Sequence, residues 1–252
     1  MVQLQLTAIP DIPLIHPGDD LAAILGDGML AAGLLPTAGD VLVVASKVVS
    51  KAEGRLVRLE EVSPTPQAMA LAEQAQKDPR LVELILQESN TILRVRPGLI
   101  IAEHRRGFVC ANAGIDHSNV EPENEIVILL PENPDTSAQQ LRRTLHRRFG
   151  VDLAVIINDS HGRAWRMGSV GVAIGVAGMH PLRDCRGERD LFGQVLRVTQ
   201  VGTADEIAAA ASALMGQGAE GRPAVLVRGV IYTAGEGSIW ELLRPRELDM
   251  FR

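Results

Sequence analysis

Cysteine is nearly absent from this chain. Only Cys110 and Cys185 occur in 252 residues, which excludes a disulfide framework and a four-ligand zinc site and points to a reducing compartment. Long apolar runs are missing as well. None reaches the roughly 18 residues needed to span a bilayer, and Met1-Val-Gln-Leu-Gln-Leu6 lacks the basic segment and apolar core of a secretory signal. The expectation is a cytoplasmic protein with no membrane partner. Positive charge is also short: the formal net charge of -6 argues against a general nucleic-acid binder. Lysine is scarcer still. Lys47, Lys51 and Lys77 are the only lysines among 25 basic residues, which leaves 22 arginines. A coding bias toward arginine accounts for the totals but not for the pairing of Lys47 with Lys51. A lysine ammonium is a compact point charge that reaches a phosphate where a planar guanidinium fork does not fit. What is present is ordinary for a packed globular chain, with 46% hydrophobic and 22% charged residues.

Periodicity divides the chain into helices and strands. Pro10 to Ile15 is too proline-broken for a helix and reads as an extended loop. Leu21, Ile24, Leu25, Met29 and Leu30 give helical spacing over 19–35. Gly39-Asp40 is a turn, and Val41 to Ala45 reads as a strand buried on both faces, ending at Ser46-Lys47. Ser63-Pro-Thr-Pro66 breaks the chain before alanine-rich helical sequence from Gln67 to Glu88. Ile92 to Ile101 and Phe108 to Ala111 read as strands. Asp135 or Thr136 caps a helix that stops at Gly150. Leu153 to Ile157 is a second apolar strand, ending at Asn158-Asp159-Ser160. Thr203-Ala-Asp-Glu206 reads as a capping box opening a helix to Leu214, and Ala224 to Arg228 is a third apolar strand. The intermixing gives an α/β (α+β mixed) class.

Polar clusters lie at the ends of these strands, where α/β proteins bind ligands. Ser46, Lys47 and Lys51 either hold a nucleotide phosphate or are solvated surface groups. In Asn112-Ala-Gly-Ile-Asp116-His-Ser-Asn119, Asp116 either binds a hard divalent cation or bonds its own backbone in an Asx turn, and Asn119 reads a base or phosphate in the first case. Asn158-Asp159-Ser160-His161-Gly-Arg163 offers a carboxylate and a hydroxyl for Mg²⁺ or Mn²⁺, with Arg163 and Arg166 available for an anionic substrate. The alternative is a connecting turn. Ser160 and His161 are adjacent in an extended segment and point opposite ways, and no Gly-x-Ser-x-Gly elbow is present, so a serine hydrolase is disfavoured. His117 and His161 lack a zinc-ligand spacing, so any metal is expected to be oxygen-bound. Met215 to Arg222 is glycine-rich but is not a P-loop. Gly168 to Gly178 is not a Rossmann fingerprint; its alternating small residues suggest close backbone packing.

These clusters, in this order, resemble the coenzyme F-420-0:γ-glutamyl ligase family over nearly the whole chain. The resemblance is carried by Ile12-Pro-Leu-Ile15 with Pro17-Gly-Asp-Asp20, Gly39 to Arg55, Asn112 to Glu121, Asp159-Ser-His-Gly-Arg-Ala-Trp-Arg166, Ala204-Asp-Glu-Ile-Ala208 and the loop from Met215. It implies a two-lobed ligase fold and addition of L-glutamate to coenzyme F-420-0 with GTP, releasing GDP and phosphate through an acyl phosphate. It also implies two Mn²⁺ or Mg²⁺ ions per site, K⁺, and a homodimer. Carried onto this chain, the metal ligands are Asp116, Asp159, Ser160 (where threonine is usual) and Gln217 (where some members have glutamate). GTP contacts fall on Ile12, Pro13, Leu14, Ile15, Ser46, Lys47, Lys51, Asn119 and on Met215, Gly216, Gln217, Gly218, Ala219, Glu220, Gly221 and Arg222. Asp116, Asp159, Lys47 and Lys51 carry the chemistry. Residues 1–252 are expected to form one catalytic unit of two intermixed lobes, without the C-terminal nitroreductase-like domain of some bacterial relatives. The rival readings are a metal-dependent nucleotide phosphohydrolase, another amide ligase on the same scaffold, and a non-enzymatic nucleotide-binding protein.

Overall fold

Three apolar runs become neighbours in one sheet. In a computed structural model, which describes residues 3–117 and 125–250, a five-stranded sheet has the order β1-β12-β2-β8-β9. Its members are β1 (Gln5–Ala8), β2 (Val41–Ala45), β8 (Ala154–Arg163), β9 (Arg166–Ala177) and β12 (Ala224–Arg228). β2 and β8 pair in parallel, with Val41 opposite Ala154 and Ala45 opposite Asn158, and the other pairings are antiparallel. Val41 to Val44 and Ala154 to Ile157 are completely buried, as expected for strands covered on both faces. The cover comes from α1 (Leu21–Ala31), α2 (Ser46–Ala52), α5 (Pro134–Phe149) and α6 (Thr203–Met215).

A second apolar cluster, including Val82, Ile85, Ile100 and Val127, lies among α3 (Pro66–Ala75), α4 (Pro79–Gln87), β3 (Leu56–Arg58), β4 (Ser89–Arg96), β5 (Leu99–His104), β6 (Val109–Ala111) and β7 (Ile126–Ile128). β4, β5 and β6 form one antiparallel sheet, and β3 pairs with β7. A short ladder of β10 (Arg183–Asp184) and β11 (Gln200–Val201) completes the strands. No helix among the described residues is long and apolar enough to cross a membrane.

Several local expectations are corrected. The helix expected over Gln67 to Glu88 is two helices: Gln76 adopts φ 50°, and Asp78 caps a new helix whose first residue is Pro79. Pro97-Gly98 turns the chain between β4 and β5 within the expected strand over Ile92 to Ile101. Asn133, not Asp135 or Thr136, caps α5, its side chain accepting from the Thr136 N–H. Thr203 to Glu206 form no capping box: α6 starts after Gly202 without a side-chain cap, and Asp205 instead accepts the backbone N–H of Ala173 in β9 at 2.9 Å. β8 does not stop at Asn158. It runs to Arg163 because β9 pairs with it throughout.

The small residues of β9 make the close packing suggested by their alternation. The register slips between Ile157 and Asn158, leaving Ile174 as an extra residue. Strict alternation would aim positions 171 and 175 the same way, and the bulge turns them toward different helices. A Cβ on Gly171 would meet Ser212 and Ala208 of α6, and one on Gly175 would meet Pro134 of α5.

One buried charge network sits beside the second cluster. Glu88, with a side chain 7% exposed, faces Arg55 and Arg105 at 2.8 Å each and His104 at 3.4 Å. Burial favours its neutral form, but His104, Arg55 and Arg105 outweigh that and hold the carboxyl at about 2, against an ordinary 4.5. A depressed folded-state pKa contributes stability above the unfolded value and loses it as pH falls through the folded one. The contribution is up to about 3 kcal/mol. Glu88→Gln should therefore be less stable than the parent at neutral pH, and denaturant titrations should show the gap narrowing as pH falls from 4.5 toward 2.

Candidate functional site

The parallel pairing of β2 with β8 sets the site. With Ala45 opposite Asn158, the next residues, Ser46 and Asp159, emerge side by side where β2 ends and the buried half of β8 gives way to its more exposed half. The Ser46 hydroxyl donates to Asp159 Oδ1 at 2.5 Å, and His161 Nε2 lies 2.9 Å from Asp159 Oδ2. The Asp159 side chain is 15% exposed. Burial opposes its ionisation, but His161, Ser46 and the Ser160 backbone N–H outweigh burial and keep the carboxyl below the usual range. One residue on, the Ser160 hydroxyl donates to Gln217 Oε1 at 2.7 Å, and Gln217 Nε2 donates to Ser212 Oγ at 3.0 Å. Strand β8 is thus linked to the loop that follows α6.

Asp116 arrives by a different route. After β6, Asn112, Ala113 and Gly114 take φ of 50°, 53° and 73°. Asparagine and glycine tolerate the left-handed region, whereas alanine costs about 1 kcal/mol there. Gly114 is required twice, because a Cβ would also overlap the Leu130 side chain. Asp116 is then locked by a two-way backbone bridge to Ile128, at 3.0 and 2.8 Å, and its Oδ2 faces Lys47 Nζ at 2.7 Å. Asp116 therefore does more than close a local turn. Lys51, one helical turn beyond Lys47, is partly buried, and burial with the neighbouring Lys47 charge lowers its pKa.

These groups face a single cavity of about 670 Å³. Its walls include Ile12 to Ile15, Ser46, Lys47, Lys51, Asp116, Asp159, Ser160 and every residue from Met215 to Arg222. Asn119 lies outside the described residues. Arg163 and Arg166 do not line the cavity; they pair across the outer end of the β8–β9 hairpin, and both are exposed. The cavity also takes Asn158, which opens the polar cluster running to Arg163, and residues that strand-end reasoning overlooks: Cys110, Ser169 and Ser212. Ser212 had a signal, being the hydroxyl that interrupts the alanine run of α6. Burial, with Asp159 nearby, pushes the Cys110 thiol up to about 12, so it is a neutral wall group rather than a nucleophile.

The oxygen donors suit a hard cation. Asp116, Asp159, the Ser160 hydroxyl and the Gln217 amide oxygen are of the right type. Among the described residues no three His, Cys, Asp or Glu side chains converge. A set with so few carboxylates fits Mg²⁺-type ions, which keep waters and take phosphate oxygens from a substrate, better than a closed all-protein cage.

Comparison with known proteins places the chain. The family described as F420-0:Gamma-glutamyl ligase matches residues 10–229. The chain belongs to this family. The match spans every cavity residue from Ile12 to Pro223. Among similar proteins, the coenzyme F420:L-glutamate ligase of Methanothermobacter thermautotrophicus is 49% identical over 251 residues, covering 99% of each chain. That of Methanopyrus kandleri is 51% identical over 227 residues, covering 90% of this chain and 87% of the relative. That of Archaeoglobus fulgidus is 43% identical over 251 residues, covering 100% and 97%. Family membership makes this protein a ligase.

Proposed function

We propose that the chain joins L-glutamate to coenzyme F-420-0 with GTP as the energy source, forming an amide and releasing GDP and phosphate. The observation that carries this reading is the convergence on one cavity of two carboxylates, two lysines and a glycine-rich loop from distant parts of the chain. That is phosphoryl-transfer equipment without a P-loop.

Lys47 and Lys51 neutralise the phosphates. Gly216, Gly218 and Gly221 let backbone N–H groups of the 215–222 loop come close to them. Ile12 to Ile15 supply an apolar wall for the nucleoside. Lys47 exchanges its contact with Asp116 for a phosphate oxygen when that carboxylate is engaged elsewhere. Asp116, Asp159, Ser160 and Gln217 hold the divalent cations, which when bound offset charge developing on the transferred phosphoryl group. The γ-phosphoryl moves to the acceptor carboxylate, the amine of glutamate attacks that activated carbon, and phosphate leaves as the amide forms. Two separate apolar clusters flank the site's elements, which supports a single catalytic unit of two lobes.

The test is product mass spectrometry together with GDP release after incubation with acceptor, GTP, Mn²⁺ and glutamate. Release should require both acceptor and glutamate, and the product should gain one or more glutamyl units. GDP release indifferent to the acceptor would instead assign a phosphohydrolase.

A further inference from the structure

His161 is a titratable cavity group to which the reaction above gives no task. It sits two residues beyond Asp159 on β8, so the two side chains share a face of the strand. Its side chain is 11% exposed, and Nε2 lies 2.9 Å from Asp159 Oδ2. The ring is placed by packing rather than by solvent. Phe108, itself buried, meets it edge-on, with centroids 6.5 Å apart and planes at 61°. On the other side Phe108 stacks on His104, with centroids at 5.9 Å and planes at 21°. His104 is fixed in turn: its Nδ1 accepts the Arg106 backbone N–H at 3.1 Å, and its Nε2 faces Glu88 at 3.4 Å. A continuous row of side chains therefore runs from the buried Glu88 network to the cavity carboxylate.

The far side of that carboxylate is held as well, by the Ser46 hydroxyl on Oδ1. Asp159 thus has one fixed neighbour on each oxygen. The His161 contact is close but out of line: among the described residues, Nε2 has no aligned hydrogen-bond partner. An imidazole held this way crowds Oδ2 and restricts rotation of the carboxylate.

We infer that His161, braced by Phe108, is the positioning residue of Asp159, holding the carboxylate in the orientation that presents its remaining lone pairs to a divalent cation. The inference rests on the reading of Asp159 as a cation ligand. Partners of ligating groups tune affinity by roughly 10–100-fold.

The experiment titrates Mn²⁺ calorimetrically into the full chain saturated with GDP, whose phosphates complete the oxygen set, against a GDP-only titration, and follows each variant's thermal midpoint. His161→Ala should weaken Mn²⁺ binding by about tenfold or more with a nearly unchanged midpoint. His161→Gln, whose amide reaches the same oxygen, should recover most of the affinity. Phe108→Leu should fall between, because it loosens the brace without touching Asp159. Parental affinity in His161→Ala overturns the inference alone. So does a glutamine variant as weak as alanine, which would make the ring itself the ligand. A parent chain that binds no Mn²⁺ overturns the cation reading and this inference together. If His161→Ala folds poorly, Phe108→Leu decides: unchanged affinity there overturns the brace.

Discussion

Asp159→Asn is expected to reduce glutamate-dependent GDP release by roughly 10²–10³-fold while leaving the thermal midpoint close to that of the parent. The two halves follow from one feature. The carboxylate is buried midway along β8 and kept ionised by Ser46, His161 and the Ser160 backbone. Asparagine preserves the shape and still accepts the Ser46 hydroxyl. It gives up the net stabilisation that Ser46, His161 and the Ser160 backbone lend the carboxylate but also removes the desolvation of a buried charge, so the midpoint falls only slightly. It leaves the cation without a formal charge at its most enclosed ligand. Losing about 3–4 kcal/mol of transition-state stabilisation corresponds to roughly 10²–10³-fold in rate. Steady-state GDP release and a melting curve on the same sample check both. Full activity in the variant would remove Asp159 from the chemistry and overturn its assignment as a cation ligand.

The second large effect is structural. Gly175→Ala should destabilise the chain by about 3 kcal/mol, lowering the midpoint by roughly 6–12 °C. A Cβ there would overlap the backbone carbonyl carbon and oxygen of Pro134, at the first turn of α5, as well as the proline ring. Backbone cannot step aside as a flexible side chain can, so α5 or β9 must move. Gly162→Ala is the control: its Cβ meets open space and φ is not in the left-handed range, so the midpoint should hold. Equal midpoints for the two variants would show that α5 and β9 are not packed as described.

The sequence made some of this legible and hid the rest. Val41 to Ala45, Leu153 to Ile157 and Ala224 to Arg228 announce themselves as buried strands because their apolar runs need cover on both faces. Strand β9 does not. Glycine at 168, 171 and 175 dilutes strand propensity, and its pairing with β8 is a tertiary choice. The same pairing explains why Asn158 to Arg163 reads as a loop but is strand: polar residues continue the ladder because a partner supplies the hydrogen bonds. In the site, Lys47 and Lys51 stand out against an arginine background, and Asp116 and Asp159 follow apolar strands. The task of His161 is set by a neighbour far along the chain, Phe108, and no local pattern encodes that contact. Ser212 meets Gln217 only because the chain turns back just after α6 ends.

The order of strands in the central sheet also bears on how the protein is made. Ser46 and Asp159 are 113 positions apart, and β2 is flanked by β8 and β12, both from the second half of the chain. During synthesis β2 leaves the ribosome as a bare Val-Leu-Val-Val segment with neither edge paired. It must wait for more than a hundred further residues before its first partner arrives. Such an exposed apolar strand is a template for association with other chains. Sheet closure is therefore a late, slow event, and the cavity comes into being only with it. A chain stopped before Ala154 has neither sheet partner of β2 and cannot bring Ser46 beside Asp159.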